Sequence, residues 1–193
     1  MARKYDSSRR RKAAEQTRQD ILQAALKLHW DGITELEPLA REAGCSLATL
    51  RKHFPSKEML FGSCTRAFAE TITLPDLKAL GSITEPAQRI EQSVSELCRM
   101  HEAMFGYAWL SAQQRKDSPT LDAEMNTYEV LADTIAEIIT PFNSQKASLV
   151  RGLLDFLSYR ALRLSGQLSP ERTKEELIET LQLLILRDTD SPD

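Results

Sequence analysis

The sequence predicts an all-α fold, and three observations carry the prediction. Apolar residues recur at helical spacing in successive segments from Thr17 onward, no segment alternates with the period of two expected of a strand, and proline or glycine punctuates the periodic segments. The chain of 193 residues is 41% hydrophobic and 27% charged, an ordinary globular composition long enough to bury a core of its own. Its glycines and prolines are too few for a fibrous or linker-like chain, and no internal repeat is visible.

The elements follow in order. Residues 3–12 hold six Lys and Arg and no apolar period, so residues 1–14 read as a flexible basic arm, with a merely solubilising tail as the alternative. Ile21, Leu22, Ala25 and Leu28 mark a first helix, stopped by Gly32. A second, short helix follows. It opens either at a capping box of Thr34 and Glu37 or at Pro38 as its first residue, and Gly44 ends it with a left-handed turn. Ser46 caps a third helix over 47–54, which stops because a residue before proline is pushed out of the helical region. A fourth runs from Ser56 towards Pro75.

After a turn-rich stretch over 74–86, Ile90, Val94, Leu97, His101, Met104 and Ala108 form one stripe of a long helix, with Cys98, Phe105 and Trp109 on an adjoining one. A helix apolar on more than one side is central. Leu121, Met125, Tyr128, Ala132, Ile135, Ile139 and Phe142 define the next helix, after Pro119 and before Pro141. Two more cover 144–164 and 170–187, and an acidic tail over 188–193 closes the chain.

Charge and cysteine usage narrow the classes of function. Residues 1–66 carry 13 Lys and Arg against 8 Asp and Glu, a net of +5, whereas residues 67–193 carry 12 against 20, a net of −8. A basic head on an acidic body points to a polyanionic partner for one end. Cys45, Cys64 and Cys98 stand in no C-x-x-C arrangement, which argues against a disulfide framework and a zinc site and favours a reducing cytoplasm. No apolar run reaches the roughly 20 residues that span a bilayer, so no membrane association is expected, and no cofactor or metal pattern is present.

The spacing Ala40-x3-Gly44-x5-Leu50 is what a helix-turn-helix requires. A small residue lets two helices cross, glycine makes the turn, and an aliphatic residue packs the second helix onto the first. With Leu50 and Phe54 inward, Leu47, Ala48, Arg51 and Lys52 become the base-reading candidates: Arg51 for guanine, Leu47 or Ala48 for a thymine methyl. Thr34, Ser46, Thr49, His53 and Lys57 suit phosphates, because hydroxyl, imidazole, ammonium and helix N-termini all donate to anionic oxygen.

These residues also carry a family resemblance. Ile21-Leu22-x-Ala24-Ala25, Gly32, Leu39-Ala40-x-x-Ala43-Gly44-Cys45-Ser46, Thr49-Leu50, His53-Phe54 and Ser56-Lys57-Glu58-x-Leu60 resemble the DNA-binding domain of the TetR (tetracycline-repressor-like) bacterial transcriptional regulators. The resemblance covers residues 17–66. It implies a three-helix helix-turn-helix domain over 15–56 and a helical effector-binding and dimerisation domain over 57–187. It further implies a homodimer, a repressor in that family's manner, that leaves a palindromic double-stranded operator when a small molecule binds. Arg51 replaces the family's usual tyrosine, and Glu35 and Glu37 replace threonine and a frequent basic residue near the expected phosphate path.

The resemblance places the effector among inward residues of the central helices, for which His101, Met104, Phe105, Trp109, Met125 and Tyr128 are the candidates, with ordinary core packing as the alternative. Dimerisation falls to the last two helices. Leu149, Leu153, Phe156 and Leu157 supply one face, and Leu177, Ile178, Leu181, Leu184 and Ile185 the other, unless these residues complete the monomer core. Two other functions stand beside this one: a redox-responsive regulator using Cys45 and Cys98, and a small all-α enzyme with a site at His101, Glu102 and Cys98.

Overall fold

A computed structural model describes residues 7–140 and 144–186, and every regular element among them is an α-helix. In chain order these are α1 (Ser7–Trp30), α2 (Leu36–Glu42), α3 (Leu47–His53), α4 (Lys57–Ala69), α5 (Leu77–Gly81), α6 (Pro86–Ala103), α7 (Phe105–Gln114), α8 (Pro119–Ile139), α9 (Ser144–Leu154), α10 (Phe156–Leu164) and α11 (Pro170–Leu186). None is long and apolar enough to cross a membrane. The chain divides into two compact units. One comprises Met1–Thr71 and Leu110–Asp122, here the head; the other, the body, comprises Ile72–Trp109 and Ala123–Asp193.

In the head, α1 lies against α2, α3 and α4. Ile21, Ala25, Leu39, Leu50, Phe54, Leu60 and Cys64 are almost fully buried between them. Each such aliphatic side chain stabilises the fold by roughly 1.5–3 kcal/mol relative to exposure. Two left-handed glycines shape the turns. Gly32 (φ 78°) and Gly44 (φ 63°) each follow a helix whose last carbonyls are closed by a paired set of bonds: Ile33 N–H to the Leu28 carbonyl and Gly32 to His29, then Cys45 to Ala40 and Gly44 to Arg41. A side chain at either glycine would strain the backbone.

In the body, α6 and α11 pack along their lengths, and Gln182 near the end of α11 donates to the Ala87 carbonyl at the start of α6, so the pair is antiparallel. Ile90, Val94, Leu97, Met100, Leu177 and Leu181 fill their contact. α10 adds Phe156 and Tyr159, and α9 adds Val150 and Leu154.

The structure corrects several expectations. α1 begins at Ser7, so residues 7–14 of the expected flexible arm are helical. Ala13, Ala14, Glu15 and Gln16 are good helix formers, and one-turn bonds from Gln16 to Asp20 and from Gln19 to Glu15 extend the helix past its apolar period. Residues 1–6, including the rest of that arm, lie outside the described residues. Thr34 does not cap α2. Glu35 occupies the cap position without a side-chain cap bond, and Pro38 is the third helical residue, where no intrahelical N–H is required. α4 ends at Ala69 rather than near Pro75, and the turn-rich stretch holds α5, capped by Asp76 on the Ala79 N–H at 3.0 Å.

The two long body helices are each divided. α6 and α7 break at Met104, whose φ of −112° and ψ of 12° leave the helical region. α9 and α10 break at Asp155, which turns extended and caps α10 through the Leu157 N–H at 2.8 Å. Apolar periodicity runs through both breaks and hides them. Phe142, Pro141, Arg187 and the acidic tail 188–193 lie outside the described residues.

Candidate functional site

α3 is a seven-residue helix held from inside and free on its outer face. Ser46 accepts the Thr49 N–H at 3.1 Å and pairs with the Thr49 hydroxyl at 2.8 Å, fixing the first turn. Leu50 (0% exposed) and Phe54 (1%) bury the inner face. Ala48, Arg51 and Lys52 point to solvent, and Leu47, Thr49 and His53 are half-buried. Among the described residues none of Ala48, Arg51 or Lys52 has a side-chain bond or ion pair, so the side chains that suit base edges are uncommitted.

The last turn of α3 has a brace the sequence did not reveal. Arg18 of α1 lays its guanidinium over the Phe54 ring at 4.4 Å and donates to the His53 carbonyl and to the Ser63 hydroxyl, each at 3.3 Å. It thereby joins α1, α3 and α4 at one point. The only sequence signal is an arginine one turn before Leu22, on the flank of the apolar stripe of α1.

Among the phosphate candidates, Ser46 and Lys57 are exposed, whereas Thr34 is 7% exposed and its hydroxyl accepts from the Lys57 ammonium at 3.5 Å. Thr34 thus positions Lys57 and is too buried to reach a phosphate itself. Glu35 turns its carboxylate back to the Thr34 N–H at 3.1 Å, and Glu37 is exposed on the first turn of α2, where it complements the helix dipole. Glu58, at the start of α4, accepts from the Ser118 hydroxyl and the Thr120 N–H, both at 2.7 Å, and so caps the start of α8 within the head. Desolvation pushes its carboxyl up, but the bonds from Thr120 and Ser118 prevail and hold it below the usual range.

In the body, the candidate effector residues are distributed differently than expected. His101 (3% exposed), Met104 (1%) and Met125 (4%) are core residues, and Phe105, Trp109 and Tyr128 are half-buried. The His101 ring sits between Phe156 and Tyr159, at 5.7 and 5.3 Å, and its Nε2 meets the Leu154 carbonyl at 2.9 Å. Burial, opposed by that carbonyl, lowers its pKa to about 4, so the ring is neutral and Nε2 carries the donated proton. Trp109 is covered by the Arg160 guanidinium at 3.7 Å. Tyr128 donates to Glu124. An open cleft of about 550 Å³ lies between α6, α10 and α11, lined by Cys98, Arg99, Glu102, Tyr159 and Lys174 among others and by none of the six candidates.

The dimer candidates divide as well. Phe156 (4% exposed), Leu177 (4%) and Leu181 (0%) belong to the body's own core, which corrects their placement on an outer face. Leu149 (53%) and Leu157 (49%) are exposed, and Leu153, Ile178, Leu184 and Ile185 are half-buried. Leu164 and Leu183 are exposed too.

Of the residues of the enzyme reading, Cys98 and Glu102 line the cleft together, while His101 is not among its lining residues. Burial pushes the thiols of Cys45 and Cys98 up, Cys98 to about 12, away from the reactive thiolate. Glu102 is engaged by the Arg163 guanidinium and the Tyr159 hydroxyl, while His101 bonds elsewhere. Among the described residues no three His, Cys, Asp or Glu side chains are grouped to hold a metal ion.

No protein-family model matches the sequence, and no curated protein matches it. Solved structures do match. A TetR transcriptional regulator from Rhodococcus sp. RHA1 aligns at TM-score 0.48 and 14% identity, over 91% of this chain and 98% of that one. Another transcriptional regulator from the same organism aligns at TM-score 0.58 and 21% identity, over 93% of this chain and 99% of that one. Over nearly its whole length, then, this chain has the all-α fold of that second regulator.

Proposed function

We propose that the chain is a DNA-binding transcriptional regulator of the TetR type, a homodimer that represses from a palindromic operator and is released by a small-molecule effector. One observation carries the reading: α3 exposes Ala48, Arg51 and Lys52 on a helix whose register is locked by Leu50, Phe54 and the Ser46 cap. A rigid helix with uncommitted basic side chains is what the major groove selects. The basic head, the exposed Arg9, Arg10, Arg11 and Lys12 on the first turns of α1, and the fold shared with a named transcriptional regulator support it.

In this reading Arg51 and Lys52 address bases, with Leu47 and Ala48 on methyl groups, while Ser46, Thr49, His53 and Lys57 address phosphates. Thr34 and Arg18 act from behind, on Lys57 and on the end of α3. A second copy covers the apolar surface of Leu149, Leu157, Leu164 and Leu183, and two recognition helices then meet successive major grooves about 34–36 Å apart. Effector binding in the body favours a spacing that no longer fits, so operator and effector affinities are reciprocally coupled.

The test is selection of genomic DNA fragments on the purified protein at near-physiological salt, followed by sequencing. The expected result is enrichment of a shared palindrome. Retention of bulk DNA alone, with no common sequence, overturns the operator-reading assignment. Sedimentation showing only monomer at micromolar concentration removes the dimer.

A further inference from the structure

Glu124 sits inside the body, on α8, with only 8% of its surface exposed. One carboxylate oxygen, Oε1, accepts from the Tyr128 hydroxyl one turn along the same helix. The other, Oε2, is buried and has no hydrogen-bond partner, and no described cation pairs with the side chain. Leu121, three residues before it on α8, is 0% exposed, and Met125, next in the chain, is 4% exposed. Tyr107 of α7, 1% exposed, is near enough to Tyr128 to act on it electrostatically. Burial first, and then the Glu124 carboxylate, push the Tyr128 hydroxyl far above its usual pKa, so it remains a fixed donor to Oε1 and leaves Oε2 open.

A buried acceptor without a donor is costly, and a buried carboxylate is ordinarily retained beside a cation that offsets its lost hydration. Here the described residues supply a tyrosine and no cation. We propose that Oε2 is the anchor for the ammonium group of a small organic amine, bound beside Glu124, Tyr128 and Met125. The proposal rests on reading the body as an effector domain, and names the chemical class of that effector. An anionic ligand would meet an uncompensated carboxylate; a neutral alcohol offers one donor without the charge that makes such bonds strong. The apolar neighbours select an alkyl or aryl body on the amine.

The experiment uses the full chain without DNA at pH 7.5 and three probes matched in length: hexylamine, hexanol and hexanoate. Calorimetric titration and thermal melting are read on the wild type, Glu124→Gln and Tyr128→Phe. Hexylammonium is expected to bind and raise the melting temperature, hexanoate to do neither, and hexanol to bind more weakly. Glu124→Gln should weaken the amine by about tenfold or more, since a charge-assisted bond is lost. Tyr128→Phe frees Oε1 and should keep or tighten amine binding.

Absence of amine binding to the wild type, equal binding of the three probes, or an unchanged affinity in Glu124→Gln each overturns the proposal and leaves an ordered water as the partner of Oε2. Should Glu124→Gln fail to fold, the ranking of the three probes on the wild type decides. Because DNA is absent, a failed amine assay beside a successful operator selection rejects the amine alone. Failed operator selection rejects the parent reading.

Discussion

The outer face of α3 in the head and the buried polar groups of the body put their chemistry in opposite environments. On α3 the arginine, the lysine and the hydroxyl that opens the helix face water, backed by the apolar Leu50 and Phe54. In the body, His101, Glu124, Ser93 and Thr173 are buried on helices that carry the core. The difference matters energetically. Exposed groups keep their hydration until a partner arrives and then act through charge and counterion release, whereas buried groups lost hydration at folding and must be satisfied from within or by a ligand. In the function proposed, the face of α3 meets DNA and the body holds a ligand inside.

The largest expected effect breaks the head alone. Leu50→Ala removes a fully buried side chain from the contact of α3 with α1 and α2 and should cost about 2–5 kcal/mol. Hydrogen exchange resolves where the loss falls: protection should drop in α1 to α4 and persist in α6 and α11. An equal drop in both places means that the two units unfold as one and the contrast has no thermodynamic content.

Acid separates the two units next. His29 of the head and His101 of the body are each held at about 4, burial being the leading cause in both. Above about pH 6.5 both rings are neutral whether the chain is folded or not. Between 6.5 and 4 the unfolded chain takes up protons that the folded chain refuses, so stability falls as pH falls, by roughly 3 kcal/mol for each ring across the window. The partners differ, however. Among the described residues neither ring nitrogen of His29 has a hydrogen-bond partner, and Phe61 lies tilted against the ring at 5.3 Å, whereas His101 serves the Leu154 carbonyl. Denaturation at pH 7.5 and pH 5 should therefore show His29→Leu flattening the pH dependence at little cost. His101→Leu should flatten it too, but lose about 1–3 kcal/mol at pH 7.5 by orphaning that carbonyl.

Arg51→Ala should weaken binding to a selected operator by about 10- to 150-fold, as expected for one bidentate base contact. Lys57→Ala should weaken all duplex DNA alike and reduce the salt slope by about one charge. Fluorescence anisotropy across a salt series reads both. Unchanged affinity in both variants removes α3 from the interface. The smallest effect concerns a device that the two units share: Ser46→Ala and Asp155→Ala each delete a helix cap and should each cost about 1 kcal/mol in thermal denaturation. A far larger loss for one of them would show that its cap holds more than a helix end.

The same contrast explains what could be read in the sequence. The helix-turn-helix was legible because its determinants are local: Ser46 bonds three residues ahead, Gly44 closes a turn five residues long, and Leu50 follows at fixed spacing. The body's breaks at Met104 and Asp155 were hidden because the apolar period continues across them, although an aspartate between two leucine-rich runs was an available cap signal. Partners far apart in sequence left no trace. The bond from His101 to Leu154 spans 53 residues and that from Arg163 to Glu102 spans 61. Glu124 could have been noticed, since it falls three residues after Leu121 and four before Tyr128, on the stripe the apolar residues define. Phe156, Leu177 and Leu181 show the limit of the method: periodicity finds the apolar face, but only packing tells whether the same chain or another covers it.

The free outer face of α3 has a consequence for descent. Ala48, Arg51 and Lys52 bear no side-chain bond on which the fold depends, while Leu50, Phe54 and Arg18 hold the helix from behind and Ser46 caps its start. If α3 reads bases as proposed, replacement at the three outer positions alters which sequence is preferred without a toll on folding. On that reading a lineage could migrate from one operator to another by single steps, each leaving the fold intact, and a randomised library at those three positions is the laboratory equivalent of that drift.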